Sequence, residues 1–124
     1  DVIVLATGFE AGKMLAPMDV RGRSGAALRE VWGDDDPRAY LGTVVADYPN
    51  LFLLSGPNTG LAHGGSLMFM AECQMRYITG CLKAMAERGI ATLEVRQDVQ
   101  DDYCRRVDEE HGQRVGTHPG MRHW

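Results

Sequence analysis

Two segments constrain this chain most. Asp1–Phe9 reads DVIVLATGF, and residues 49–66 read PNLFLLSGPNTGLAHGGS. Each is an apolar run that passes into a Gly-rich turn, and the second turn opens onto a long helical pattern. In α/β proteins ligands sit where strand ends meet such turns. Two of them in 124 residues point to a face that contacts a cofactor. The chain opens at Asp1, already inside the first run, so the expectation is a piece of a longer enzyme.

Val2–Ala6 is continuously apolar, which predicts a strand buried on both faces of a parallel sheet. Residues 10–23 contain Gly12, Pro17 and Gly22 and read as a loop. Ala26–Val31 suits a short helix, stopped by Gly33 and the acidic run Asp34-Asp35-Asp36-Pro37. Thr43–Ala46 and Leu51–Leu54 read as strands separated by Tyr48-Pro49-Asn50. A long helix follows over about Gly65–Arg88, with apolar residues at three- and four-residue spacing (Met70, Ala71, Ile78, Cys81, Leu82, Met85). Its first turns, Leu67–Ala71, are apolar nearly all round and predict deep burial. Gly89 suits the position just beyond the last turn. Thr92–Arg96 reads as a further strand, Val99–His111 as a second helix with a charged outer face, and 112–124 as irregular. The fold class is therefore α/β, with few strands, a long central helix and a C-terminal helix, in a single unit spanning 1–124. There is no internal repeat, low-complexity tract or linker.

Composition removes several classes of function. The net charge of -4 and the lack of a basic run speak against a nucleic-acid partner. No apolar run reaches membrane-spanning length. Three cysteines, an odd and sparse set, do not make a disulfide framework. Cys73 and Cys81 share one helix, roughly 12 Å apart along its axis, too far to bridge. A reducing, cytoplasmic setting is expected. Cys104, His111, His118 and His123 lack the close ligand pairs of a structural zinc site, so no metal is assigned. Asp34–Asp36 lacks the calcium-loop glycine and terminal Glu and reads as a solvated turn.

Familiar nucleotide motifs are missing. Gly8-Phe9-Glu10-Ala11-Gly12-Lys13 has three residues between its glycines and then Met14, where a phosphate loop needs four and a hydroxyl. There is no GxGxxG and no GxSxG. Two features carry chemistry instead. Ala6, Thr7 and Gly8 are small residues at a strand's carboxyl end, where a flat or phosphorylated ligand can approach the backbone; the plain alternative is a strand-to-loop exit. The loop Gly56–Ser66 leaves backbone N–H groups uncovered at the positive end of a helix dipole, suited to an anion or an electron-rich carbonyl. Its plain alternative is a flexible connector with local turn bonds at Asn58 or Ser66. Four glycines and apolar elements on both sides favour the ligand reading. His63 suits an orienting contact better than acid–base catalysis. Glu72, among apolar residues of the long helix, suits a structural pairing better than a functional acid.

Taken together, these residues resemble the C-terminal part of flavin-dependent monooxygenases of the Baeyer–Villiger and flavin-containing type, nearest the hydroxyacetophenone monooxygenase-like members. The resemblance runs through Asp1–Phe9, Gly22-Arg23, Leu28–Trp32, Tyr40–Gly42, Pro49–Phe52, Gly56–Ile78 with its GPNT and HGGS blocks, and His118-Pro119-Gly120. It implies a two-dinucleotide-binding flavoprotein. NADPH reduces FAD, oxygen reacts at the reduced flavin, and a ketone or soft heteroatom of a small organic substrate is oxidised. Carried over by position, Ala6, Thr7, Gly8, Gly56, Asn58, Thr59, Leu61, His63, Gly64 and Gly65 are expected to contact FAD. The family's pyrophosphate-binding glycines, its nicotinamide site and its catalytic Arg have no match here. No catalytic residue is assigned, and the piece is expected to be inactive and flavin-free alone. Its exposed edges are expected to make it a homodimer. The readings that compete are a stand-alone binding domain and another two-dinucleotide flavoprotein; a disulfide reductase would bring a CxxC that is absent.

Overall fold

A computed structural model of the chain describes residues 2–6, 13–33, 36–60 and 65–112. Among them the regular elements are three helices: α1 (Leu28–Trp32), α2 (Leu67–Arg88) and α3 (Gln97–His111). All three fall where the apolar spacing places them, each within two residues at its start. Gly33 ends α1 with φ of 62°. At the start of α2 the Ser66 hydroxyl accepts from the Phe69 N–H at 3.3 Å. Gly89 ends α2 in the left-handed region, and the Ile90 N–H then reaches back to the Met85 carbonyl at 2.9 Å.

The four expected strands do not form. Pairing among the described residues is confined to two isolated antiparallel bridges, Arg21 with Ala27 and Tyr40 with Val44. Val2–Leu5, expected to be buried on both faces, are 81–89% exposed. An apolar run becomes a strand only against an edge, and no described segment offers Val2–Ala6 one. Thr43–Ala46 and Leu51–Leu54 fail for a different reason. The backbone between 41 and 58 turns repeatedly through positive φ, at Leu41, Gly42, Asp47, Asn50, Ser55 and Asn58. Extended stretches are cut short before a ladder can build. Thr92–Arg96 likewise stays irregular; it is tied to Asn50, whose N–H donates to the Leu93 carbonyl at 2.9 Å.

This winding segment is nevertheless where the core lies. Leu28 and Trp32 of α1 pack with Ala39, Val45, Tyr48 and Leu53. Two aromatic polar atoms are satisfied within it: the Trp32 Nε1–H donates to the Arg38 carbonyl at 2.9 Å, and the Tyr48 hydroxyl donates to the Ala26 carbonyl at 3.0 Å.

Irregular buried backbone needs partners that a sheet would have supplied. Side chains supply them here. Gln74 is the only buried residue of α2. Its Oε1 accepts from the Ser55 N–H at 2.9 Å, and its Nε2 donates to the Gly42 carbonyl at 3.1 Å and to Thr43 Oγ1 at 3.0 Å. Gln100 of α3 accepts from the Ala46 N–H at 2.8 Å. Asp47 accepts from the Ser24 N–H at 3.1 Å and from the Ser24 hydroxyl. Helices α2 and α3 are thus each fastened to the winding segment by a buried glutamine. The start of α2, expected to be deeply buried, is instead open: Leu67, Met68 and Phe69 are all exposed. Nothing in this chain covers them among the described residues.

Candidate functional site: the GPNT turn and its surroundings

Gly56-Pro57-Asn58-Thr59 closes a tight turn. Pro57 fixes its second position, and Asn58 takes φ of 61° at its third, a conformation Asn tolerates better than most residues. The Thr59 N–H and hydroxyl both return to the Gly56 carbonyl, at 3.3 and 2.7 Å. Gly56 and Thr59 are buried, whereas Asn58 and Gly60 are exposed.

The turn is seated on a second one. Leu41 and Gly42 both take positive φ, and the Thr43 N–H bonds the Tyr40 carbonyl at 3.0 Å. A Cβ on Gly42 would lie 2.7 Å from the Pro57 carbonyl oxygen and closer still to the Thr59 methyl. A Cβ on Gly56 would fall on the Gly42 carbonyl. Two glycines thus let the backbones of two turns lie directly against each other.

Of the residues expected to contact a cofactor, the structure brings Gly56, Asn58 and Thr59 together in this turn. Gly65 lies exposed at the mouth of α2, and Ala6 lies exposed in the extended N-terminal run. Thr7, Gly8, Leu61, His63 and Gly64 lie outside the described residues, as do His118 and His123. Glu72 is exposed on α2 rather than embedded among apolar neighbours.

A cleft of about 390 Å³ opens beside the turn, between Asn58 and Gly60 on one side and Tyr103, Arg106 and Val107 of α3 on the other. Arg106 is engaged within α3, donating to Asp102 at 3.1 Å. The sequence reading missed α3 as a wall of this cleft. Its signal was present in the helical recurrence of Tyr103 and Val107, but the charged residues around them read as a solvated face. Gln74 and Gly42 were missed too. A Gln inside the apolar arc of α2 was the one available sign.

The titrations seen here are structural. Tyr77 is pushed up to about 12, chiefly by burial and secondly by the Cys81 thiol beside it. Burial likewise raises Tyr103, which stands edge-on to Tyr40 with ring centres 5.2 Å apart. Burial also pushes the Cys104 thiol up, with Arg38 acting against it. At pH 8 Cys104 therefore holds less thiolate than an ordinary cysteine, and it is shielded as well. Iodoacetamide is expected to label exposed Cys73 well before Cys104 in the folded chain, with the difference erased in urea. Equal labelling rates in the folded state would contradict the buried placement. Among the described residues no group of three His, Cys, Asp or Glu side chains is placed to hold a metal. No helix among them is long and apolar enough to cross a membrane. The arrangement brings together a tight turn, an exposed helix start and a cleft whose lining also includes Glu110 and His111.

Comparison with known proteins gives this wall a context. No family model matches the chain. Individual proteins do, across nearly all of it. The chain is 45% identical over 121 residues, 98% of its length, to an uncharacterized monooxygenase of Sinorhizobium fredii. It is 39% identical over its whole length to a Baeyer-Villiger monooxygenase of Pseudomonas aeruginosa, and 38% identical, again over its whole length, to an FAD-binding monooxygenase of Aspergillus niger. It spans only 18%, 23% and 21% of those three proteins, about a fifth of each. The homologues covering this chain are thus monooxygenases, Baeyer-Villiger and FAD-binding ones among them.

Proposed function

We propose that the chain is the C-terminal part of an FAD- and NADPH-dependent monooxygenase of the two-dinucleotide-binding type, nearest the hydroxyacetophenone monooxygenase-like members. Such an enzyme oxidises a ketone or a soft heteroatom of a small organic molecule with O2. The observation that carries this reading is the similarity over the entire chain to the Pseudomonas aeruginosa Baeyer-Villiger monooxygenase.

The described residues fit one wall of a flavin site. The first turn of α2 holds no acidic residue to oppose an electron-rich group, and Ser66 uses its hydroxyl on one N–H only. The positive end of the helix dipole remains open beside Gly65. Exposed Leu67 and Phe69 give the same place an apolar character that suits a flat ring. Bound FAD would supply the hydride-accepting and oxygen-activating chemistry. This chain's part is to seat the ring: Gly65 with the start of α2, Asn58 on the turn, and Ala6-Thr7-Gly8, Leu61, His63 and Gly64 by their sequence positions. The isolated chain holds no pyrophosphate anchor in its sequence. It is expected to retain no flavin, to be inactive, and to self-associate through its exposed apolar faces.

The test is a chimera in which this chain replaces the matching segment of the Pseudomonas aeruginosa relative. The chimera is expected to purify with FAD and to oxidise a ketone or sulfide with NADPH and O2, the product gaining one oxygen. A folded chimera without FAD, beside a flavin-loaded parent, would overturn the reading. Within an active chimera, Gly65→Val is expected to lower FAD content and reduction per bound flavin. The β-branched side chain would stand where the helix start must approach the ring. Melting should shift by no more than about 2 °C, as for most surface changes. Normal flavin reduction in a destabilised Gly65→Val protein would instead make the glycine a turn element only.

A further inference from the structure

We infer that an outer stripe of α2, formed by Met68, Met75 and Leu82, is the surface on which the remaining polypeptide of a longer monooxygenase chain packs. The inference rests on the functional reading above and adds a place of assembly to it.

The three residues recur at seven-residue spacing. A helix drifts only about 20° per seven residues, so they form one stripe. They are 77%, 47% and 52% exposed. The stripe lies between two arcs of different character. On one side, Gln74, Ile78 and Met85 are buried or half-buried, and Gln74 is bonded to this chain's own core segment. On the other, Glu72, Arg76, Lys83 and Glu87 are exposed, with Lys83 and Glu87 paired across one turn at 3.8 Å. The apolar arc of α2 is therefore wider than the surface this chain covers. An apolar stripe bordered by charge on only one side marks the rim of a contact.

Two observations identify the occupant. The matched relatives carry this segment as 18–23% of a much longer polypeptide, so about four fifths of the chain is available to cover it. A tethered neighbour acts at an effective concentration in the millimolar range, above that of a second copy at ordinary protein levels. The second observation is Val2–Leu5. This run has the composition of a strand buried on both faces, yet it is 81–89% exposed. It lacks a sheet, and a second copy of this chain has no sheet among its described residues to offer. A longer polypeptide that brings a sheet serves both surfaces, pairing the strand and covering the stripe.

Methionine oxidation reads this directly, because two of the three stripe residues are methionines. Hydrogen peroxide oxidation is followed by mass spectrometry at Met68 and Met75, with rates expressed relative to the same peptides in urea. The dilute, monomeric isolated chain should oxidise at Met68 at nearly the unfolded rate. In the chimera with the Pseudomonas aeruginosa relative, both sites should slow by about tenfold or more while the protein stays monomeric. Met68 and Met75 as reactive in the chimera as in the isolated monomer would overturn the inference. So would protection that appears only when chimera molecules dimerise, which makes a second copy the occupant. A chimera that is insoluble where its parent is soluble also counts against it, since the surfaces then fail to match. Flavin content is measured on the same samples. Protected methionines without FAD leave the assembly surface standing and overturn the functional reading; FAD with reactive methionines does the reverse.

Discussion

Gln74→Leu is expected to destabilise the chain by about 1–4 kcal/mol, although it replaces a polar residue with an apolar one inside a helix. The reason lies in what Gln74 serves. Its amide satisfies the Ser55 N–H and the Gly42 carbonyl, and both belong to backbone that has no ladder. Leucine would leave the buried Gly42 carbonyl without a partner, which costs about 1–3 kcal/mol, while the part-buried Ser55 N–H loses a bond that water can partly replace. Gln74→Glu separates this explanation from simple packing. The carboxylate keeps the acceptor for Ser55 but can no longer donate to Gly42 and Thr43. Burial against a carbonyl raises the folded-state pKa of such a carboxyl above its unfolded value. Its deficit should therefore be smallest below the unfolded pKa and should grow as pH rises through the folded one. Urea unfolding at pH 4 and pH 7 checks both variants. A Gln74→Leu chain as stable as the parent would show that the amide is dispensable.

The second large effect is expected at the paired glycines. Gly42→Ala adds a left-handed penalty of about 1–2 kcal/mol to overpacking of about 1–3 kcal/mol against the Pro57 carbonyl and the Thr59 methyl. Gly56→Ala has no positive φ to answer for, yet its methyl would fall on the Gly42 carbonyl, which is backbone and cannot swing aside. At about 4 °C per kcal/mol, Gly42→Ala should lower the melting temperature by about 8–20 °C and Gly56→Ala by about 4–12 °C. Gly25→Ala is the informative contrast. Its φ of 88° carries the conformational penalty, but nothing lies within 4 Å of the added carbon. If Gly25→Ala costs as much as Gly42→Ala, the close approach of the two turns is not the cause.

The helices were legible in the sequence, and the strands were not. Ser66, Gly89 and the spacing from Met70 to Met85 are local signals that act within one helix, so they survive whatever surrounds it. Val2–Ala6 is a signal of a different kind. Its composition describes the neighbours it needs, and those are not among the described residues. Thr43–Ala46 misled for a third reason. Its β-branched residues are buried, as in a strand, but positive φ at Leu41, Gly42 and Asp47 breaks the extension on both sides. No composition rule announces a leucine at φ of 53°. The GPNT segment was legible as a Gly-rich turn, but its local side-chain bond comes from Thr59 rather than from Asn58, while Ser66 does bond locally at the start of α2. That Gly56 serves a backbone contact with Gly42, fourteen residues earlier, needed the folded chain.

Gln74 is the one fully buried side chain of α2, with the rest of its inward face half-buried, and this has a mechanical consequence for the helix. Its triple hydrogen bond at Gln74 acts as a pivot, and the atoms held there are the Gly42 carbonyl and the Ser55 N–H. Gly42 in turn bears on Gly56, the first residue of the turn that presents Asn58. A body pressing on the outer side of α2 would therefore tilt the helix about Gln74 and displace Gly42. Gly56 must follow, because there is no free space between the two backbones. The helix is in effect a lever, its long arm the exposed stripe and its short arm the pair of glycines. The route from the outer stripe to Asn58 thus runs through Gln74, Gly42 and Gly56, each in direct contact with the next.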